Sequence, residues 1–220
     1  MRNINLSPAI FKRFPEVKTR FVAGKFSFEL EDRQVVVDER QGLIGGLGLK
    51  PECLASLEQQ HGVKILSADS RGFHFLKPEQ TRADGLFTGR KSLFLSVRTA
   101  DCLPILFYNL ASKSIGALHV GWRGTRAGIL EKSVSRLMKK FACAIEDFYF
   151  YFGPAAQSCC YEGPYREFAQ ENLLQLKNLG VQDSQIENSG ICTIHNRKYP
   201  SHRREGQERQ EAILSIIGLQ

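Results

Sequence analysis

"SKSIGALHVGWRGTRAGILEKSVSRLMKKFA", Ser112 to Ala142, changes its hydrophobic period once along its length. Ser114 to Val120 reads as a strand. Further on, Ala127, Leu130, Val134, Leu137 and Phe141 recur at helical spacing. Gly121, Gly124 and Gly128 lie between the two patterns and permit a tight exit from the strand. The stretch is a strand, a glycine turn and an amphipathic helix, and it points to an α/β chain.

On its N-terminal side, "SVRTADCLPILFYN", Ser96 to Asn109, sets two apolar β-type runs around a polar turn. The spacing predicts strands over Leu93 to Val97 and Ile105 to Tyr108, with Asp101 and Cys102 between them. A structural cysteine is expected inside an apolar run, whereas this thiol stands at a strand end beside a carboxylate. Further back, "LEQQHGVKILSAD" places His61 just ahead of a strand-like "VKIL". Near the N-terminus, "RFVAGKFSFEL" and "RQVVVDER" read as short strands, and "GLIGGLGLK" is too glycine-rich for a confident helix.

On the C-terminal side, the alternating aromatics of "FYFYFGP" make a half-buried strand. Phe168, Leu173, Leu176 and Leu179 then mark a helix capped by Gly180, and a last helix is expected from Gln207 to Ile217. Strands and helices mix without strict βαβ alternation. The expectation is a mixed α/β (α+β) fold, a mixed β-sheet sandwich covered by helices, in a single domain over residues 1–220.

Composition narrows the function classes. With 42% hydrophobic residues and 15 Phe, the chain can build a core without disulfides or a structural metal. No apolar run has the length of a membrane span and no signal-peptide pattern opens the chain, so the expectation is a soluble, cytoplasmic protein. Its six cysteines are accordingly read as reduced thiols, with Cys159 and Cys160 as packing or incidental residues. The net charge of +7 is densest in "HNRKYPSHRREGQERQ", which reads as a solvated charged helix. No recognition helix, zinc-finger spacing or aromatic-basic RNA signature accompanies it, which argues against nucleic acid as a partner.

Three side chains stand at comparable places, His61 before a strand, Cys102 in a turn and His119 near a strand end. Two imidazoles and a thiolate have the composition of a catalytic zinc site with an open fourth position. Asp101 is a candidate for orienting a ligand histidine or acting as a base. None of the three ligands shows a short CxxC or HxxxH spacing, so scattered core residues are the competing reading. In "HVGWRGT", glycines just before a helix offer N–H groups to an anion that Arg123 would reinforce; a plain strand-to-helix turn with Trp122 packed on the core is the alternative.

"LEQQHG", "RADGLFT", "TADCLPILF", "HVGWRGTRAGIL" and "GPAAQSCCYE", in that order, resemble the motif series of the laccase-domain family. That family was once called multicopper polyphenol oxidases and is now regarded as purine nucleoside phosphorylases. The resemblance spans Leu57 to Glu162 and implies that His61, Cys102 and His119 bind one zinc ion. It implies cleavage of adenosine, inosine and methylthioadenosine by phosphate, with an adenosine deaminase activity attached. Asp101 and Cys102 are the catalytic candidates, and Arg123, Glu162, Arg203 and Arg204 the substrate-binding ones. Copper is not favoured, because multi-electron oxidation needs several coppers and more than the five histidines present. The implied partners are purine nucleosides and phosphate, on a monomer or homodimer, with neither membrane nor nucleic acid. The family's N-terminal "TRxGG-S" is only echoed in "KTRFVAGKFS", and its "FFSYRRD-TGR" tail stands here as "YPSHRREGQER". Two rivals follow: a metal-free thiol hydrolase or deamidase with Cys102 as nucleophile and His119 as base, and a non-catalytic protein that binds metal and nucleosides.

Overall fold

The computed structural model describes residues 1–26, 41–42, 44–69, 81–160, 167–206 and 211–220. "RQVVVDER" and Glu162 lie outside them. The strands are β1 Arg2–Asn3, β2 Val17–Lys25, β3 Leu54–Ala55, β4 Ile65–Ser67, β5 Gly85–Thr88, β6 Phe94–Thr99, β7 Leu103–Asn109, β8 Ser114–Val120, β9 Phe148–Phe152, β10 Ile186–Asn188 and β11 Glu211–Leu219. Residues 41–42 and 44–47 are helical, and further along stand the helices α1 Trp122–Arg126, α2 Ile129–Phe141, α3 Phe168–Asn178 and α4 His202–Glu205. One sheet runs β1-β2-β11-β6-β3 and the other β10-β9-β7-β8-β5-β4. Both are mixed: β3 pairs β6 in parallel while β11 pairs β2 and β6 antiparallel. The expected mixed sandwich is the fold observed.

The period of two in the strands sorts side chains between layers. Along β7, Leu106 and Tyr108 face the first sheet, where they meet Leu95, Val97 and Ile217. Leu103, Ile105 and Phe107 face the other way, onto Ile129, Leu130, Val134 and Leu137 of α2 and Phe168 and Leu176 of α3. Two glycines admit the packing: a Cβ on Gly116 would meet the Phe107 ring at 1.9 Å, and one on Gly218 the Phe94 ring at 2.2 Å.

Two expectations are corrected. The segment expected as a helix from Gln207 to Ile217 contains a strand instead, β11, central in its sheet. It is buried on both faces: Leu214 and Ile216 pack outward with Ile44 and Leu47, whereas Ile217 and Leu219 pack inward. A strand covered on both sides reads as a continuous apolar run and loses its alternation, so its spacing can mimic a helix. The helix after the glycine turn is also interrupted. Gly128 takes φ 71, ending the five-residue α1 before α2 begins.

Candidate metal centre and cleft

Cys102 lies in the turn from β6 to β7, His119 one residue before the end of β8, and His61 in the loop that leads to β4. Their ligand atoms all lie within 4.8 Å of one another. The imidazoles of His61 and His119 meet edge to face, with centroids 4.7 Å apart. Gly121 closes the group from below: a Cβ there would stand 3.1 Å from Cys102 Sγ and 3.5 Å from His61 Cδ2. With φ at −88 the backbone itself does not demand glycine, so close approach to the ligands does.

The residue that aims this group is one the sequence reading left out, Asp84 of "RADG". Its carboxylate, 1% exposed, accepts N–H bonds from Gln60, His61 at 2.8 Å and Gly62 at 2.7 Å. Nδ1 of His119 stands 2.8 Å from the same carboxylate. An ionised acceptor makes Nδ1 the protonated nitrogen and leaves Nε2 for a metal. The fourfold contact also holds His61 at a left-handed φ of 56, a conformation disfavoured for a residue with a Cβ. The only prior signal for Asp84 was its place in a quoted motif.

Asp101 has a different task from the orienting role expected of it. Its backbone too is left-handed, at φ 82. One carboxylate oxygen accepts from the Thr193 hydroxyl and the other from the Arg203 N–H, both at 2.7 Å, while its carbonyl accepts from Ala156 N–H at 2.8 Å. Asp101 therefore ties the rim together, next to the ligands rather than on them.

Above the three ligands opens a cleft of about 600 Å³, walled by Gln59, Arg98, Trp122, Arg123, Phe168, His202 and Arg203. Of the residues expected to bind an anion, Arg123 and Arg203 are exposed on this rim. Arg204 is not available for it: its guanidinium donates to the carbonyls of Thr193, Ile194 and Tyr199 and pairs with Glu205 at 2.7 Å. The basic tract is thus partly internal scaffolding rather than a solvated helix. Trp122 divides its ring between the core edge and the cleft.

Electrostatically, Cys102 and His119 shift each other's ionisation. Burial alone would raise the Cys102 thiol, but the charge and hydrogen bonds of His119 and His61 bring it down to about 6. Burial would likewise lower His119, yet the Cys102 charge and the Asp84 hydrogen bond raise it to about 9. Asp84, pushed up by burial, is drawn below the usual carboxylate range by His119 and the N–H groups of Gly62 and His61. The donor set fits a borderline-soft divalent ion: two nitrogens and one sulfur, one histidine fixed by a carboxylate, and an open side towards the cleft.

Fold and site together define a two-sheet α/β protein with an imidazole–thiolate centre at the base of a basic cleft. The family model described as multi-copper polyphenol oxidoreductase laccase matches residues 17–171 and 163–220, and the chain belongs to that family. It is 33% identical over 188 residues, 73% of this chain and 75% of the other, to a purine nucleoside phosphorylase of Clostridium acetobutylicum. It is 30% identical over 220 residues to the purine nucleoside phosphorylase YlmD of Geobacillus stearothermophilus, covering 86% of this chain and 80% of that one. The crystal structure of YlmD from the same organism superposes with a TM-score of 0.83 at 25% identity, covering 95% and 94% of the two chains. No helix among the described residues is long and apolar enough to cross a membrane.

Proposed function

We propose that this chain is a purine nucleoside phosphorylase whose single catalytic centre holds one zinc ion on His61, Cys102 and His119. The observation that carries the reading is the convergence of those three ligands, aimed by Asp84, at the base of a cleft that also presents Arg98, Arg123 and Arg203. A zinc ion held by these three residues would supply Lewis acidity at the base of the cleft. Asp84 keeps the His119 proton on Nδ1, and Gly121 keeps the space between Cys102 and His61 clear. Arg123 and Arg203 offer guanidinium groups to phosphate, and Asp101 fixes the backbone of Arg203 for that purpose. Trp122 and Phe168 give a purine ring apolar faces within the same cleft.

The five-residue α1 contributes little dipole to this site, so the anion is assigned to side chains rather than to the turn before Thr125. The depressed Cys102 thiol beside His119 favours a second reading, a metal-free thiol hydrolase. Metal content and alkylation separate the two. In the zinc reading, protein made in zinc-supplemented medium carries the ion and Cys102 resists iodoacetamide; an empty, rapidly alkylated Cys102 contradicts it. The activity is tested by chromatography of inosine, adenosine and methylthioadenosine incubated with and without phosphate. Free base released only with phosphate supports phosphorolysis. Equal release in both, or no product from any of them, overturns it, and ammonia release from adenosine reports deamination.

A further inference from the structure

The pair Cys159–Cys160, read from sequence as packing or incidental, is not packed in the core: Cys159 is exposed. The two sulfurs stand 3.5 Å apart, and with a ring nitrogen of His195 they form a second group whose ligand atoms lie within 4.8 Å of one another. A third thiol, that of Cys192, stands alongside this group without falling inside its 4.8 Å limit.

Cys192-Thr-Ile-His195 is a short C-x-x-H turn, closed by the Asn196 N–H on the Cys192 carbonyl at 2.9 Å. A bridge between Ala155 and Cys192 brings the segment carrying Cys159 and Cys160 alongside, with Ala155 N–H on Ile191 at 3.1 Å and Thr193 N–H on Ala155 at 3.0 Å. All the chain's described cysteines are unpaired. A Cys159–Cys160 disulfide would close a strained ring, since the ~3.8 Å between adjacent Cα atoms is shorter than the usual disulfide span.

We infer that Cys159, Cys160, Cys192 and His195 form a second metal site, separate from the cleft, that takes one zinc-like divalent ion. Three thiolates and an imidazole complete a tetrahedron with no open position, the composition of a structural rather than a catalytic ion. The ion would fasten the two segments on which the cleft rim rests, since Ala156 and Thr193 are the residues that Asp101 holds. The inference is independent of the reaction assigned above.

The test uses the full chain, purified under reductant, loaded with zinc, desalted and analysed for metal by mass spectrometry. Two equivalents are expected in the wild type, one in Cys102→Ser and one in Cys192→Ser. Should Cys192→Ser fail to fold, Cys159→Ser, altered at an exposed thiol, carries the same expectation. A second readout is alkylation mapping of zinc-loaded Cys102→Ser, in which Cys159, Cys160 and Cys192 should stay protected until a chelator is added. Cys102→Ser without metal, alkylation at equal rates with and without zinc, or a wild-type stoichiometry unchanged by loss of Cys159 or Cys192 would overturn the assignment.

Discussion

At the scale of single residues, the centre depends on two positions, Asp84 and Gly121, that are not ligands themselves. Asp84 receives one imidazole and three backbone N–H groups, so Asp84→Asn keeps an acceptor but brings a competing donor towards His119. Zinc affinity of the central site should fall about 10–100-fold, measured by chelator competition, while the circular dichroism spectrum is retained. An unchanged affinity would mean that His119 is oriented by something else. Gly121→Ala asks Cys102 Sγ to retreat from a Cβ at 3.1 Å, a few tenths of an ångström in a site where distance decides ligation. The same competition assay should show weakened zinc binding with thermal stability close to wild type. Cys102, His61 and His119 were singled out as candidate ligands by residue type together with the family resemblance, and the fold brings their ligand atoms within 4.8 Å of one another. Asp84 was not, because an Asp before a Gly is equally a turn residue and only the fold shows that its carboxylate is buried.

At the scale of elements, α1 carries Trp122 and Arg123 but is too short to hold itself, and α3 holds it. Nδ2 of the fully buried Asn172 donates to the Thr125 hydroxyl oxygen at 2.8 Å, and Gln175 Nε2 to the Thr125 carbonyl at 3.0 Å. Asn172→Ala should therefore cost about 1–3 kcal/mol in urea unfolding and raise KM more than it lowers kcat. A second junction joins β4, β5 and α2 through Asp69, which accepts from Ser67, Thr88 and Gly89 and pairs with Lys140 at 2.8 Å. Burial pushes this carboxyl up, but the Lys140 and hydroxyl contacts hold it down to about 2. A carboxyl depressed in the folded state stabilises fully above its unfolded pKa of about 4 and loses that contribution as pH falls towards 2. Wild type should thus exceed Asp69→Asn in stability by up to about 2 kcal/mol at neutral pH, with the gap closing between about pH 4 and pH 2 in acid titration. A constant gap across that window would contradict the ionic role. Strands β7 to β9 were legible as short apolar or aromatic runs bounded by turn residues, and helices α2 and α3 by their helical spacing. The segment of β11 was not, because both its faces are covered and the spacing of its apolar residues fits either element.

For the whole molecule, β11 joins the parts of the first sheet, pairing with β2 on one side and β6 on the other. Ending the chain at residue 210 should abolish soluble, folded protein, and recovery of a cooperatively unfolding truncated form would contradict that topology. The same strand lies behind the rim, where Ala212 lines the cleft, so the site is assembled from both sheets and no isolated segment should retain it. The sandwich class was legible from the mixture of periods, whereas its strand order was not, because β11 meets β2 across most of the chain's length. The central claim is that phosphate, and not water, attacks the sugar carbon as the purine leaves. The most direct measurement is mass spectrometry of the products formed from inosine and phosphate in water enriched in heavy oxygen. Attack by phosphate forms the new C–O bond with a phosphate oxygen while the base departs with a proton. The account predicts ribose 1-phosphate without heavy oxygen on its sugar carbon, and ribose carrying heavy oxygen there would contradict it.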